Sequence, residues 1–233
     1  KLDSNNESIF FQRINIWMMS LLGSSWDNPK KFENINEDFK NNIVCQLNAL
    51  LNSRTNSIYF GWASIIKKNS FNKIDSPWGW KDPRNTFTGT IWNEVFPSLR
   101  AIYVIRHPID IAESLFKRQG READKDLHRE KKYTDIIKAL LSIHHTNYKS
   151  SFLINSYSDC FDLIELYYEQ ILENKIDNSL VVRFEDIISN PESELSGILD
   201  YCKLSFNVNT LRKISDDIDS SRSYAYKNND NFK

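Results

Sequence analysis

Apolar positions recur along the chain with two different periods. Where they return every three or four residues, they predict helices with one buried stripe. The first such stretch runs from Ser8 to Leu22 through Ile9, Phe10, Ile14, Trp17, Met18 and Leu21, with Gly23 placed as a helix stop. A second runs from Glu37 to Asn52, carrying Phe39, Ile43, Val44, Leu47, Leu50 and Leu51. Thr88 to Val95 forms a third, ended by Phe96-Pro97. The same spacing predicts helices at Tyr133–His145, Tyr157–Asn174 and Val208–Ile218, and one opened by Pro191 with Glu192 and Glu194 in its first turn.

Short apolar runs interrupt these helices. Ile102 to Ile105 reads as a strand covered on both faces, and Asn178 to Phe184 as a second buried strand. Trp78 to Lys81 reads as a third strand, stopped at Asp82-Pro83 because a residue before proline is pushed out of helical space. Ile58 to Ile66 fits either helix or strand. Strands separated by helices, with few hairpin signals, predict an α/β fold: a helix-rich three-layer domain with a central parallel sheet. Neither a repeat nor an interdomain linker is visible, so residues 1–233 read as a single domain.

Composition narrows the function. With 40% apolar and 26% charged residues the chain is globular, and a net charge of −1 argues against a generally nucleic-acid-binding surface while allowing a local basic pocket. The 25 asparagines are read as compositional bias. Cys45, Cys160 and Cys202 are widely spaced in apolar helical contexts, which predicts buried free thiols rather than disulfides or a zinc site. No His/Cys/Asp cluster calls for a metal. There is no apolar run long enough for a membrane-spanning helix and no secretory signal, and the expected location is cytoplasmic.

The most informative chemistry lies between the Ile102–Ile105 strand and the helix after it. Arg106 stands where the strand ends, Pro108 suits a first helical turn, and Asp110 and Glu113 favour a helix N-terminus. Ile111, Ala112, Leu115 and Phe116 form the stripe, with Ser114 two turns into the helix. In open parallel sheets this strand–helix junction is where ligands bind. A fixed guanidinium and a nearby hydroxyl are suitable donors to a phosphate.

Arg106-His107-Pro108-x-Asp110-x-x-x-Ser114 resembles the 3′-phosphate-binding segment of the sulfotransferases, which use 3′-phosphoadenosine 5′-phosphosulfate (PAPS). Trp80-Lys-Asp-Pro-Arg84 resembles the segment that supplies an active-site lysine in that family. Leu180-Val-Val-Arg-Phe-Glu-Asp through Asn190-Pro-Glu192 resembles its later strand and helix start, and Ser221-Arg222 its C-terminal loop. The resemblance implies a P-loop NTPase-like architecture and transfer of the sulfuryl group of PAPS to a hydroxyl or amine. It makes Lys81 the catalytic cation at the leaving oxygen, with Arg106 and Ser114 clamping the 3′-phosphate and Arg222 adding a second cation. The implied partners are the nucleotide donor and a sulfate acceptor of undetermined class. Arg84 has a structural alternative, pairing with a carboxylate.

Three points stay open at this level. Glu7 or Asp3 stands where some relatives carry a general base, although Glu7 also fits as a first-turn helix carboxylate. His107 suits a cap or a packing role, and His144 and His145 have no evident partner. The charged stretch Lys117–Lys132 fits a solvated helix end with a surface loop, or a mobile lid. The strand and loop that hold the 5′-phosphosulfate in the family have no counterpart; Gly23-Ser-Ser25 follows a helix, and the chain opens at Lys1. The expectation is an N-terminally truncated domain lacking that first strand and phosphate loop. A P-loop-type phosphotransferase or kinase, and a non-catalytic domain with a decayed phosphate site, are the alternatives.

Overall fold

The computed structural model describes residues 7–32, 35–53, 59, 71, 74, 76–128, 150–219, 221 and 223–228. Among them are eight α-helices and one parallel pair of strands. The protein is therefore a helix-rich α/β fold with a small parallel sheet. The chain divides into two compact units, Lys1–Ile105 with Leu166–Ser220, and Arg106–Glu165 with Ser221–Lys233.

In the first unit, α1 (Ile9–Ser20), α2 (Glu37–Leu51) and α3 (Asn85–Val95) share one core. It holds Phe10, Ile14, Met18, Ile43, Leu47 and Leu51 from the expected stripes, Ile91 and Trp92 from the third helix, and also Phe11, Met19 and Phe87, which the stripes did not include, whereas Leu21 is exposed. Burial of each such large side chain contributes about 1.5–3 kcal/mol. α1 ends where Gly23 turns left-handed (φ 65°). There the Ser24 N–H reaches Met19 O (3.0 Å) and the Gly23 N–H reaches Ser20 O (2.9 Å), the paired bonds of a Schellman stop. Asn36 caps α2, its side chain accepting from the Phe39 N–H at 2.8 Å.

One buried amide ties α1 to α3. Asn15, fully buried, donates to Asn85 Oδ1 (2.9 Å) and accepts from Thr88 Oγ1 (3.0 Å) and Trp92 Nε1 (2.8 Å). Asn85 Oδ1 also accepts from Trp80 Nε1 at 3.1 Å. Every polar atom of this cluster that would otherwise be stranded in the core has a partner, as burial requires.

The strands are β1 (Ala101–Ile105) and β2 (Ser179–Arg183), paired parallel with Ala101 opposite Ser179 and Ile105 opposite Arg183. Asn178 Nδ2 donates to Leu99 O (2.9 Å) and Arg100 Nη1 to Cys202 O (3.0 Å), fastening the beginning of the sheet. Tyr103, Ile171 and Ile176 form a second core beside it. After β2 come α6 (Phe184–Ser189), α7 (Pro191–Tyr201) and α8 (Val208–Asp216). Pro191 opens α7 as expected.

In the second unit, α4 (Pro108–His128) buries Ala112 and Leu115 and sets Phe116 against Tyr157, ring centroids 4.5 Å apart. Ser151 N–H donates to Gln119 Oε1 at 2.7 Å. α5 (Tyr157–Asn174) starts at a reciprocal cap. Asp159 N–H donates to Ser156 Oγ (3.2 Å), and Asp159 Oδ2 accepts from the backbone N–H groups of Ser156 and Asn155, both at 2.8 Å.

Four expectations need correction. Trp78–Lys81 is not a strand. Trp78 and Trp80 both stack on Phe11, so the aromatic alternation reflects packing in a ring cluster and not a ladder. α3 begins at Asn85 rather than Thr88, because Asp82 Oδ1 accepts from the Arg84 N–H (2.9 Å) and starts the turn earlier. The sheet is not covered on both faces: Val104 is 55% exposed, and Ile102 and Val181 are also exposed. Cys45 is exposed, on the solvent side of α2, and only Cys160 of the three free thiols is fully buried. Near its C-terminus the chain forms a 3-10 turn, Ala225–Asn228. The helix expected at Tyr133–His145 lies outside the described residues, as does Ile58–Ile66 apart from Tyr59. The charged stretch continues α4 as far as His128, with Lys117 paired to Glu113 and Lys125 to Glu122.

Candidate active site

The two units each carry one cluster of sequence-predicted residues. In the first, Lys81 stands between two anchors. Trp80 on one side stacks on Phe11 with centroids 4.1 Å apart and planes 10° from parallel. Asp82 on the other side has a fully buried side chain that takes both the backbone N–H and Nη1 of Arg84, at 2.9 and 3.0 Å. Neighbours fixed in this way limit where the Lys81 backbone goes, while its own side chain remains 63% exposed. Arg84 is thus the structural partner of a carboxylate, the alternative raised for it above.

Glu7 faces Lys81. Its Oε1 is 3.9 Å from Lys81 Nζ, and its side chain is only 10% exposed. Gln12 Nε2 donates to Glu7 Oε2 at 3.1 Å, orienting the carboxylate from one turn along α1. Glu7 lies just ahead of α1 rather than in its first turn. The long pair contributes little to stability, because its lysine end is in solvent. What the arrangement provides is an oriented carboxylate beside a solvent-reachable ammonium.

In the second unit, Arg106 follows β1 directly. Its Nη2 lies 3.3 Å from Oδ2 of Asp110, whose side chain is fully buried. His107 O accepts the Ile111 N–H at 3.2 Å, starting α4, and its ring stacks on Tyr226 with centroids 4.8 Å apart and planes 20° from parallel. His107 therefore both caps and packs. Ser114 is exposed on α4, one helical turn beyond Asp110 and on the same stripe. Arg222 lies outside the described residues, as does Asp3, and so do His144 and His145. Among the described residues there is no group of three or more His, Cys, Asp or Glu side chains able to hold a metal. No helix among them is long and apolar enough to cross a membrane.

Two participants escaped the sequence pattern. Asp110 was legible as a first-turn acid and as a fixed position of the Arg106–Ser114 motif, but not as a partner of Arg106, and nothing in the pattern marked Tyr226. The Tyr226 N–H donates to Asp110 Oδ1 at 2.9 Å, joining positions far apart in sequence, which no local period reports.

The first unit thus carries a lysine beside an oriented carboxylate, and the second an arginine at a helix start paired with a buried aspartate, in an α/β protein. The sequence profile of the sulfotransferase family matches residues 27–208, and the chain belongs to that family. No curated protein and no solved structure matches the chain. The matched span contains Lys81, Arg106 and Ser114, and leaves Glu7 and Arg222 outside it. The protein is a sulfotransferase-family transferase, which implies a donor and an acceptor.

Proposed function

We propose that this protein transfers the sulfuryl group of PAPS to a hydroxyl or amine acceptor, and that residues 1–233 act as a single sulfotransferase-like domain. The family profile runs through both compact units, which supports the single-domain reading. The observation that carries the donor assignment is Arg106. Its guanidinium sits at the end of β1, held by a buried carboxylate at 3.3 Å, with the Ser114 hydroxyl farther along the same helix. A positioned guanidinium with a nearby hydroxyl suits the dianionic 3′-phosphate that distinguishes PAPS from ATP. Arg222 is the candidate second cation.

In the step proposed, the acceptor oxygen or nitrogen forms a bond to sulfur as the bond from sulfur to the bridging phosphate oxygen breaks. The electron pair of the broken bond leaves on the 5′-phosphate of 3′-phosphoadenosine 5′-phosphate. Lys81 offsets the charge growing on that oxygen. Glu7 is the candidate base that takes the acceptor proton, being oriented by Gln12 and close to Lys81. As in phosphoryl transfer, positioning and charge neutralisation carry the catalysis.

The test is calorimetric binding of 3′-phosphoadenosine 5′-phosphate against adenosine 5′-phosphate. The expected result is a clear preference for the first, most of it removed by Arg106→Ala. Equal affinities in the wild type would overturn the donor assignment, and an unchanged ratio in Arg106→Ala would take that residue out of the site.

A further inference from the structure

Asp110 makes two contacts with one carboxylate. Oδ2 faces the Arg106 guanidinium, while Oδ1 accepts the backbone N–H of Tyr226 at 2.9 Å. A carboxylate in the first turn of a helix ordinarily turns back to the backbone N–H groups of its own helix. This one is committed instead to a side chain before the helix and to the distant C-terminal segment.

Further contacts show that the segment is seated there. The Tyr226 ring lies flat on the His107 ring, and Tyr224 meets His107 edge-on at 5.7 Å. Tyr224 also adopts a left-handed backbone (φ 51°), a conformation that is costly for a bulky residue and persists only when its surroundings enforce it. Lys227 closes over the Tyr224 ring, Nζ 4.5 Å from its centroid. A strained turn, a ring stack and a buried hydrogen-bond acceptor thus meet on His107 and on Asp110 in the first turn of α4.

We propose that Asp110 is a positioning residue of the nucleotide site: it aims the Arg106 guanidinium and clips the Tyr224–Lys227 segment beside it, coupling 3′-phosphate binding to seating of the C-terminal segment. The proposal rests on the 3′-phosphate role of Arg106 given above. It opposes the simplest electrostatic expectation. A carboxylate near a bound phosphate repels it, so neutralising Asp110 should on that ground alone raise affinity. If Asp110 instead aims the guanidinium, neutralising it lowers the selectivity for the 3′-phosphate.

Asp110→Asn keeps the shape and an oxygen acceptor for Tyr226 but removes the charge that holds Arg106. The expected result is a fall of about tenfold in the affinity ratio of 3′-phosphoadenosine 5′-phosphate to adenosine 5′-phosphate. General loosening of the fold would weaken both nucleotides together and leave the ratio unchanged. An unchanged or increased ratio in Asp110→Asn overturns the proposal. A wild type without any preference overturns the donor assignment itself, and the two failures are therefore distinct.

Should Asp110→Asn not fold, Tyr226→Pro carries the test, because it removes the backbone N–H that Asp110 accepts and leaves the Asp110–Arg106 pair in place. Tryptic cleavage after Lys227 is followed by mass spectrometry with each nucleotide. In the wild type, 3′-phosphoadenosine 5′-phosphate should slow that cleavage several-fold more than adenosine 5′-phosphate does, and Tyr226→Pro should lose the difference. Equal protection by the two nucleotides in the wild type, or a difference retained in Tyr226→Pro, overturns the coupling.

Discussion

Asn15→Ala provides a sharp test of how the first core is held together. Asn15 is fully buried and makes three hydrogen bonds between α1 and α3. Removing its amide does not affect the partners equally. Thr88 Oγ1 keeps a second acceptor, Arg84 O at 3.2 Å, and Asn85 Oδ1 keeps the Trp80 indole at 3.1 Å. The Trp92 indole N–H, on a side chain only 1% exposed, loses its acceptor in a site that water does not reach. An orphaned buried donor costs about 1–3 kcal/mol, and each of the other two bonds contributes about 1, for a total of about 3–5 kcal/mol. That is a large share of the stability of an ordinary domain. Thr88→Val is the control: Asn15 Oδ1 still has the Trp92 donor, and the cost should be about 1 kcal/mol. Urea unfolding followed by tryptophan fluorescence reads both, and with a slope of about 2 kcal/mol/M the Asn15→Ala midpoint should fall by roughly 1.5–2.5 M. Midpoints for the two variants within experimental error of one another would show that the amide is not the linchpin argued here.

Other variants test separate features. Gly23→Ala should lose about 1 kcal/mol, because its φ of 65° is left-handed, and Gly89→Ala should gain up to about 1, because a Cβ there meets only Tyr103 Oη at 3.5 Å inside a helix; thermal melts that shift in the same direction for both would refute the conformational argument. Two backbone N–H groups and Ser156 hold the Asp159 carboxyl below its ordinary value of 3.8. Its cap therefore stabilises fully above pH 3.8 and is lost as the pH falls through the lower folded value, so the stability gap between wild type and Asp159→Asn should close on acidification; a gap that widened would reverse the sign. On the roles proposed for them, Glu7→Gln and Lys81→Ala should each lower kcat by about 10²-fold or more while leaving the affinity for 3′-phosphoadenosine 5′-phosphate within a few-fold, and calorimetry beside a turnover assay separates the two effects.

Much of this architecture is written in local patterns. The stripe from Ile9 to Leu21 with Gly23 after it, the Phe39-to-Leu51 stripe, the run at Tyr157–Asn174 and the proline that opens α7 all became the elements they predict. Each is decided by residues within a turn or two of one another. The misreadings share a different cause. Trp78 and Trp80 alternate like strand residues, but what they alternate against is a cluster of rings from α1 and α3. The exposed face at Ile102 and Val104 depends on what the fold places over it, which a run of apolar letters does not specify. The same holds at the candidate site. Arg106 and Lys81 were visible as residue types in motifs, whereas the proximity of Glu7 to Lys81 and of Tyr226 to Asp110 comes from tertiary placement.

The parallel pairing of β1 with β2 also constrains the order in which the molecule is made. Ala101–Ile105 takes its ladder partner from Ser179–Arg183, so the intervening chain must be closed into one large loop before a single rung forms. Helices such as α1 and α2 depend on near neighbours and acquire structure early; the sheet, with its distant partners, sets the slow step of folding. During synthesis, β1 leaves the ribosome well before β2 exists, with its backbone groups unpaired and Ile102 and Val104 open to other chains. The strand that leads into Arg106 is therefore also a segment that the nascent chain has to keep from pairing with other chains.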